Sequence, residues 1–291
     1  MQQRTLGDRQ VSAIGLGGMP LSIEGRPDTE RAVRTIHAAL DAGVTLIDTA
    51  DAYHLKAGEV GHNERLIAEA LATYGGDTSD VLVATKGGHL RPGDGSWTLN
   101  GSPKYLREAC EASLKALGVE AIGLYQFHRP DPKVDYAESV GTIRELHDAG
   151  KVRLMGISNA TVEQIRLSVD ILGGVGADGL ASVQNEFSPA FRSSEDELEL
   201  CAELGVAFLP WSPLGGIGSA AKLGQRYAAF AEIAAARDVS PQRVCLAWML
   251  AKAPVVIPIP GSSRPETIHD SALAPDLTLT PAEFAKLDAT T

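Results

Sequence analysis

Cysteine is scarce. Only Cys110, Cys201 and Cys245 occur in 291 residues. An odd, widely spaced set is neither a disulfide framework nor a zinc pattern, which fits a reducing compartment and no metal site. Long apolar runs are missing too, so no segment has the length a membrane span needs. The opening Met1-Gln2-Gln3-Arg4-Thr5-Leu6 has no apolar core and does not read as a secretory signal. Basic residues are outnumbered: 26 Lys plus Arg stand against 37 Asp plus Glu, for a formal net charge of −11. That field repels phosphate surfaces, which argues against nucleic acid or an anionic membrane as a partner, although a local basic pocket stays compatible with it. No low-complexity stretch or interdomain linker interrupts residues 1–291. These absences imply one cytoplasmic, soluble domain, a monomer or weak homo-oligomer. Its 44% hydrophobic content suffices for a large core.

What is present is an alternation. Short β-rich apolar runs at 13–17, 44–47, 81–84, 122–125, 152–156, 181–184, 206–209 and 255–258 are separated by amphipathic stretches. The runs are too apolar to face water, as parallel strands covered on both sides should be. Residues 29–42 place Val33, Ile36 and Leu40 on one helical face, and residues 104–117 do so with Leu106, Cys110, Leu114 and Leu117. Similar patterns cover 63–74, 137–149, 162–172, 195–204, 226–237 and 265–273. Ser194-Glu195-Asp196-Glu197 and Thr280-Pro281-Ala282-Glu283 read as capping boxes, and Ser240-Pro241 puts proline at a first helical position.

Eight strand–helix units in a row predict an α/β fold, a (β/α)8 TIM barrel. An N-terminal hairpin turning at Gly7-Asp8 precedes it, and two surplus helices, 241–252 and 281–289, accompany it. Segments 87–101 and 212–222 are expected to be long loops on the barrel's C-terminal face, where barrel active sites form.

The residues at the strand ends carry chemistry. The second strand runs into Asp48-Thr49-Ala50-Asp51-Ala52-Tyr53, the third ends at Thr85-Lys86-Gly87, and the fourth at Gln126-Phe127-His128-Arg129. A barrel brings Asp48, Tyr53, Lys86 and His128 to one patch. Each alone has an ordinary structural explanation, but together they suit reduction of a carbonyl. Hydride addition needs a proton donor at the developing alkoxide. A tyrosine, with pKa of about 10, holds its proton at neutral pH. A neighbouring lysine ammonium stabilises tyrosinate and so lowers that pKa. Asp48 would pair with Lys86, and His128 would donate to the substrate oxygen.

At these residues the chain resembles the aldo-keto reductases, over nearly its whole length from Ile14-Gly15-Leu16-Gly17 to Leu287-Asp288. The segment Ile47-Asp48-Thr49-Ala50-Asp51-Ala52-Tyr53 looks like the family's Asp–Tyr signature. Gly150-Lys151-Val152-Arg153-Leu154-Met155-Gly156-Ile157-Ser158-Asn159 looks like its second, and Ile257-Pro258-Ile259-Pro260-Gly261-Ser262-Ser263-Arg264 like its third. The resemblance implies a barrel that binds NADPH/NADP+ without a Rossmann domain. It also implies a catalytic tetrad of Asp48, Tyr53, Lys86 and His128, with Tyr53 as proton donor.

The stretch Gly15-Leu16-Gly17-Gly18-Met19-Pro20 begins like a dinucleotide fingerprint, but Pro20 stands where the third glycine belongs. Gly17, Gly18 and Met19 read better as a loop passing beside the nicotinamide ribose, where glycine permits close approach. By resemblance, Asp48 also borders the cofactor, and Ser158, Asn159 and Gln184 bind the nicotinamide carboxamide. Trp211 stacks on the nicotinamide ring, and Ser212, Pro213, Leu214 and Gly216 line the pyrophosphate path. Ser262, Ser263, Arg264, Thr267, Asp270 and Ser271 surround the adenosine end. There a helix N-terminus supplies N–H groups for phosphate, and Arg264 adds a guanidinium for the 2′-phosphate. Ser263, Thr267 and Ser271 depart from the family's usual basic, arginine and asparagine residues.

The substrate is less legible. Tyr53, His54, Trp97, His128 and Arg129 are the expected pocket residues. Trp97 lies in the loop Pro92-Gly93-Asp94-Gly95-Ser96-Trp97-Thr98 and reads as a lid. Arg129 faces either an anionic or hydroxylated substrate, or Asp131. An open site for polar aldehydes or ketones, pyridoxal-like or sugar-like, is expected. The same residues also fit an NAD(P)+-dependent alcohol, sugar or pyridoxine-type dehydrogenase. A non-catalytic, cofactor-sensing barrel is the reading that the intact tetrad opposes.

Overall fold

Short, fully apolar strands can be buried on both faces only if helices cover one side and neighbouring strands curl around the other. The computed structural model describes residues 1–290 and has that arrangement. Seven parallel strands lie side by side in chain order: β1 (Leu16–Gly17), β2 (Leu46–Asp48), β3 (Leu82–Gly87), β4 (Ile122–Phe127), β5 (Val152–Ser158), β6 (Leu180–Gln184) and β7 (Ala207–Phe208). Helices α1 (Thr29–Asp41), α2 (His62–Thr73), α3 (Pro103–Leu117), α4 (Tyr136–Asp148), α5 (Val162–Leu172) and α6 (Glu195–Leu204) follow β1 to β6 in turn. After β7 come α7 (Leu223–Arg226) and α8 (Ala228–Arg237). All strand C-termini therefore open on one face.

The eighth run closes this (β/α)8 barrel without forming a regular strand. It makes isolated parallel bridges, Val256 with Phe208 and Gly261 with Gly17. Ile257 and Ile259 donate to the carbonyls of Phe208 and Pro210 at 2.8 and 3.2 Å on the β7 side. On the β1 side, Pro258 and Pro260 accept from Gly15 and Gly17 at 2.9 and 3.0 Å. Neither proline has an N–H to return, so both serve the β1 edge as acceptors only.

The N-terminal hairpin pairs Gln3–Leu6 with Arg9–Ser12 through a turn at Gly7, whose φ is +62°. Leu6 and Val11 join Leu46, Leu82, Leu124, Leu154 and Ile257 in the barrel's interior cluster. Leu46 and Leu82 open their strands, so the hairpin plugs the N-terminal end. A Cβ on Gly7 would lie 2.7 Å from a Leu154 methyl, so space and φ both require glycine there.

Both surplus helices form, as α9 (Pro241–Lys252) and α11 (Pro281–Asp288), on either side of α10 (Pro265–Ala272). Ser240 caps α9 by accepting from the Arg243 N–H, and Thr280 and Glu283 make the expected capping box. The box expected at Ser194 does not form. With φ −98° and ψ 22° the residue lacks the extended backbone that aims a capping hydroxyl, and its side chain makes no cap hydrogen bond. Trp248 of α9 is fully buried and stacks on Phe187 with ring centroids 5.7 Å apart. The three cysteines are buried and free. Among the described residues, no helix is long and apolar enough to cross a membrane.

Two loop expectations change. Segment 87–101 folds back as a small antiparallel hairpin, His89–Leu90 against Thr98–Leu99. Segment 212–222 ends in a 3-10 turn, Ala220–Lys222, that leads into α7.

Candidate active site

The strand ends converge as the topology requires. Asp48 is the last residue of β2, Lys86 lies one residue before the end of β3, and His128 follows β4 directly. Tyr53 swings in from the turn after β2, where its N–H donates to Ala50 O at 3.3 Å. Lys86 is completely buried. Its Nζ donates to Asp48 Oδ2 at 2.7 Å, Thr49 O at 2.8 Å and Tyr53 OH at 3.2 Å. The other Asp48 oxygen, Oδ1, accepts from Gln184 Nε2 at 2.8 Å. Burial opposes the Lys86 charge, but Asp48 and Tyr53 outweigh it and raise the lysine pKa.

The Tyr53 pKa departs from the sequence expectation. Lys86 pulls it down, yet burial pushes it up more strongly, and the net is above the ordinary tyrosine value. The phenol therefore holds its proton at neutral pH. The His128 ring sits edge-on to Tyr53, with centroids 6.0 Å apart. Burial first, then Lys86, His89 and Arg129, hold its pKa well below the usual histidine value, so the imidazole is neutral. Its Nδ1 is buried without a hydrogen-bond partner.

The residues expected to meet substrate, and their neighbours, are arranged around that ring. His89 approaches His128 edge-on at 4.9 Å, and Trp97 lies on His89 at 4.7 Å. The Arg91 guanidinium rests 4.9 Å from the Trp97 ring centroid. Arg91 is itself buried, donates to His54 O at 2.6 Å and forms an ion pair with Glu24. The Trp97 loop is thus tied down rather than free. His54 is buried as well, at 1% exposure. Arg129 does not pair with Asp131. It donates to Asn159 Oδ1 at 3.0 Å, while Asp131 accepts from the N–H groups of Gly101 and Lys133.

The family model described as the aldo/keto reductase family matches residues 13–291. The chain belongs to that family. An uncharacterized oxidoreductase of Schizosaccharomyces pombe is 35% identical over 287 residues, covering 97% of this chain and 88% of that protein. A 6-dehydroglucose reductase of Novosphingobium aromaticivorans is 35% identical over 273 residues, covering 91% and 86%. A solved aldo/keto reductase of Klebsiella pneumoniae, in complex with NADP and acetate, superposes with TM-score 0.79 at 26% identity, covering 99% and 95%. This aldo/keto reductase is accordingly an oxidoreductase.

The residues that the resemblance assigns to the cofactor occupy the same face. Ser158 Oγ donates to Gln184 O at 2.7 Å, and Asn159 Nδ2 to His128 O at 2.9 Å. Asn159 and Ser212 have φ of +57° and +50°, a backbone region that costs non-glycine residues energy and recurs at functional sites. Trp211 Nε1 is buried without a partner, while Pro213 O accepts from the Cys245 thiol at 3.6 Å. Leu214 and Gly216 follow in the same loop. Arg264 is the N-cap residue of α10, and its exposed guanidinium lies 3.8 Å from Glu266. Ser262 Oγ and Thr267 Oγ1 lie 2.5 Å apart, Ser263 O accepts from Arg31 Nε, and Ser271 Oγ donates to Thr267 O.

Some of the expected cofactor contacts also have packing or pairing roles in the structure. A Cβ on Gly17 would lie 2.8 Å from Ile259 O, and one on Gly18 would lie 2.6 Å from Asn63 Oδ1. The reductase thus needs these glycines for its own packing, with Met19 starting a 3-10 turn beside them. Asp270 is held by Arg243, at 2.5 Å, and by Ser240.

Sequence reasoning passed over His89, Arg91, Asn63 and Asp51. His89, two residues beyond β3, carried a positional signal. Arg91 carried none, because its partners Glu24 and His54 come from other loops. Asn63 joins Thr49 Oγ1 at 2.6 Å to Gly18 O at 2.9 Å. Asp51 lies behind Lys86, whose O accepts from the Asp51 N–H at 3.3 Å. Tyr105 OH donates to Asp51 Oδ2 at 2.9 Å, and Oδ1 is buried without a partner. Burial, with Glu64 nearby, pushes the Asp51 pKa up to about 8.

Proposed function

We propose that the chain reduces an aldehyde or ketone to an alcohol with NADPH, and that Tyr53 is the general acid. The observation that carries this reading is the buried Lys86 ammonium, joined at once to Asp48 and to the Tyr53 hydroxyl. Lys86 keeps the phenol oriented and stabilises the tyrosinate that forms as the proton leaves. Asp48 and Gln184 hold Lys86 in place. Neutral His128 donates an N–H to the carbonyl oxygen and fixes its direction.

The residues present fit a nicotinamide cofactor. Trp211 Nε1 and the left-handed backbone at Asn159 and Ser212 are features that the barrel itself gives no reason for. Ser158, Asn159, Gln184 and Trp211 would hold the nicotinamide, residues 212–216 the pyrophosphate, and Ser262 with Arg264 the adenosine phosphate. When bound, the reduced nicotinamide supplies a hydride to the carbonyl carbon. The two His rings, the indole and Arg129 favour a polar carbonyl substrate. The 6-dehydroglucose reductase relative supports a sugar-like one. The test is a panel of hydroxylated and plain aldehydes with NADPH and NADH, followed by loss of reduced-cofactor absorbance. NADPH-dependent turnover is expected. Oxidation of neither cofactor across the panel would overturn the reading.

A further inference from the structure

We propose that His89 is a specificity-determining residue that reads a hydroxyl group beside the reacting carbonyl, and that Trp97 and Arg91 are positioning residues that hold it there. The inference rests on the carbonyl-reductase reading and goes beyond it by naming a substrate feature and its reader.

Position comes first. A carbonyl oxygen held by Tyr53 and His128 puts the next carbon of the substrate near His89, whose ring lies 4.9 Å from that of His128. Hydrogen-bonding capacity comes second. Among the described residues, neither ring nitrogen of His89 has a side-chain hydrogen bond, and the residue is half-buried. Burial, then the Arg129 charge, lowers its pKa to about 4. At neutral pH the ring therefore offers one N–H donor and one acceptor nitrogen. A hydroxyl can bond to either, by donating to the acceptor nitrogen or accepting from the N–H, and a methylene to neither.

Rigidity comes third. The indole of Trp97 lies against His89 on one hand and carries the Arg91 guanidinium on the other. Arg91 is anchored to the loop after β1 through Glu24 and to the loop after β2 through His54 O. Three loops thus fix one imidazole. Trp97 acts on substrate choice through His89 and not as a free lid.

The experiment compares kcat/KM for glyceraldehyde and propanal with NADPH, two three-carbon aldehydes that differ in hydroxyl groups. The parent should prefer glyceraldehyde. His89→Phe keeps the ring and removes both nitrogens, and should reduce the preference about fivefold, mainly through KM. His89→Gln keeps a donor and an acceptor and should retain most of it. Trp97→Ala should reduce the same ratio, and Trp97→Phe should restore it, a rescue that a merely structural role would not give. NADPH binding by fluorescence quenching checks that each variant is intact. If His89→Phe fails that check, the Trp97→Ala and Trp97→Phe pair decides. An unchanged ratio in intact His89→Phe, or a parent that reduces both aldehydes equally well, overturns the inference while the reductase reading stands. A parent that reduces neither of these but turns over other members of the panel overturns the inference alone, and one that reduces no member of the panel overturns the reading and the inference together.

Discussion

The two ends of the candidate site are built on opposite plans. At the Lys86 end, both oxygens of Asp48 are hydrogen-bonded, and the ammonium has three acceptors, all within 3.2 Å. At the other end His128 Nδ1, Arg129 Nε and Trp211 Nε1 are buried with no hydrogen-bond partner among the described residues. A buried polar atom left unpaired costs about 1–3 kcal/mol. A fold that carries several such atoms in one place, beside a fully paired ion cluster, separates two tasks. One end fixes a charge before any substrate arrives. The other keeps hydrogen-bonding capacity for what binds. The predictions attack that division, beginning with the group where the two ends meet.

Tyr53→Phe should have the largest effect. Phenylalanine keeps the ring against His128 and removes the proton. Turnover should fall about 10²–10⁴-fold, the usual range for general acid catalysis. The residues proposed for cofactor binding lie in other loops, so NADPH affinity should persist. Steady-state reduction beside fluorescence quenching checks both. Near-parental turnover with normal NADPH binding would break the mechanism and the division with it.

Lys86→Met follows, because it strips the paired end of its centre. Removing one partner of a buried ion pair typically costs about 3–5 kcal/mol, since the other charge stays buried. A fall of several degrees in Tm is expected, together with depressed turnover, because the Tyr53 pKa then rises further. A Lys86→Met protein as stable as the parent would show that Asp48 is held by Gln184 alone.

The parts of this division that were legible from the amino-acid sequence are the parts written locally. Asp48, Lys86 and His128 each lie at the end of an apolar run, and the runs alternate with amphipathic helices, so the barrel and the convergence of these side chains with Tyr53 followed together. What depended on depth or on distant partners did not. Burial around Tyr53 reverses the net direction of its pKa, and depth is not written in a run of residues. Arg91 has meaning only once Glu24 and His54 are folded against it. Pro258 and Pro260 were visible, but their register matters only with β7 and β1 on either side. Ser194 matched a capping pattern whose backbone geometry it does not adopt.

Asp51→Asn is expected to stabilise. Asp51 is a third kind of group, a carboxyl just behind the paired end whose own charge has no cation bound to it. Its folded pKa of about 8 exceeds the ordinary value of 3.8. The folded state therefore keeps a proton that the unfolded chain releases. Stability from this group is fully present below about pH 4, falls as pH rises, and levels off above about pH 8. Asparagine has no proton to lose. The variant should nearly match the parent at pH 4 and gain several kcal/mol at pH 7.5, at about 1.4 kcal/mol for each pKa unit. Thermal unfolding at both pH values is the check. An equal shift at both would mean that a contact, and not ionisation, is responsible.

Arg264→Ala should have the smallest effect, because it acts at the solvent edge and not in the cleft. The guanidinium is exposed, at the N-cap of α10, with Glu266 3.8 Å away. A charge-assisted hydrogen bond to a phosphate is worth about 1.5–3 kcal/mol when well sheltered, and solvent screening lowers it here. The expected loss is about tenfold in NADPH affinity, with NADH affinity hardly changed, and the NADPH loss should shrink as salt is raised. Fluorescence titrations of both cofactors at low and high ionic strength measure it. The proton-transfer step is remote from Arg264, so kcat at saturating NADPH should hold. Equal affinity of the parent for the two cofactors would remove the assigned role, and an equal loss for both in the variant would point to the N-terminus of α10 itself as the contact.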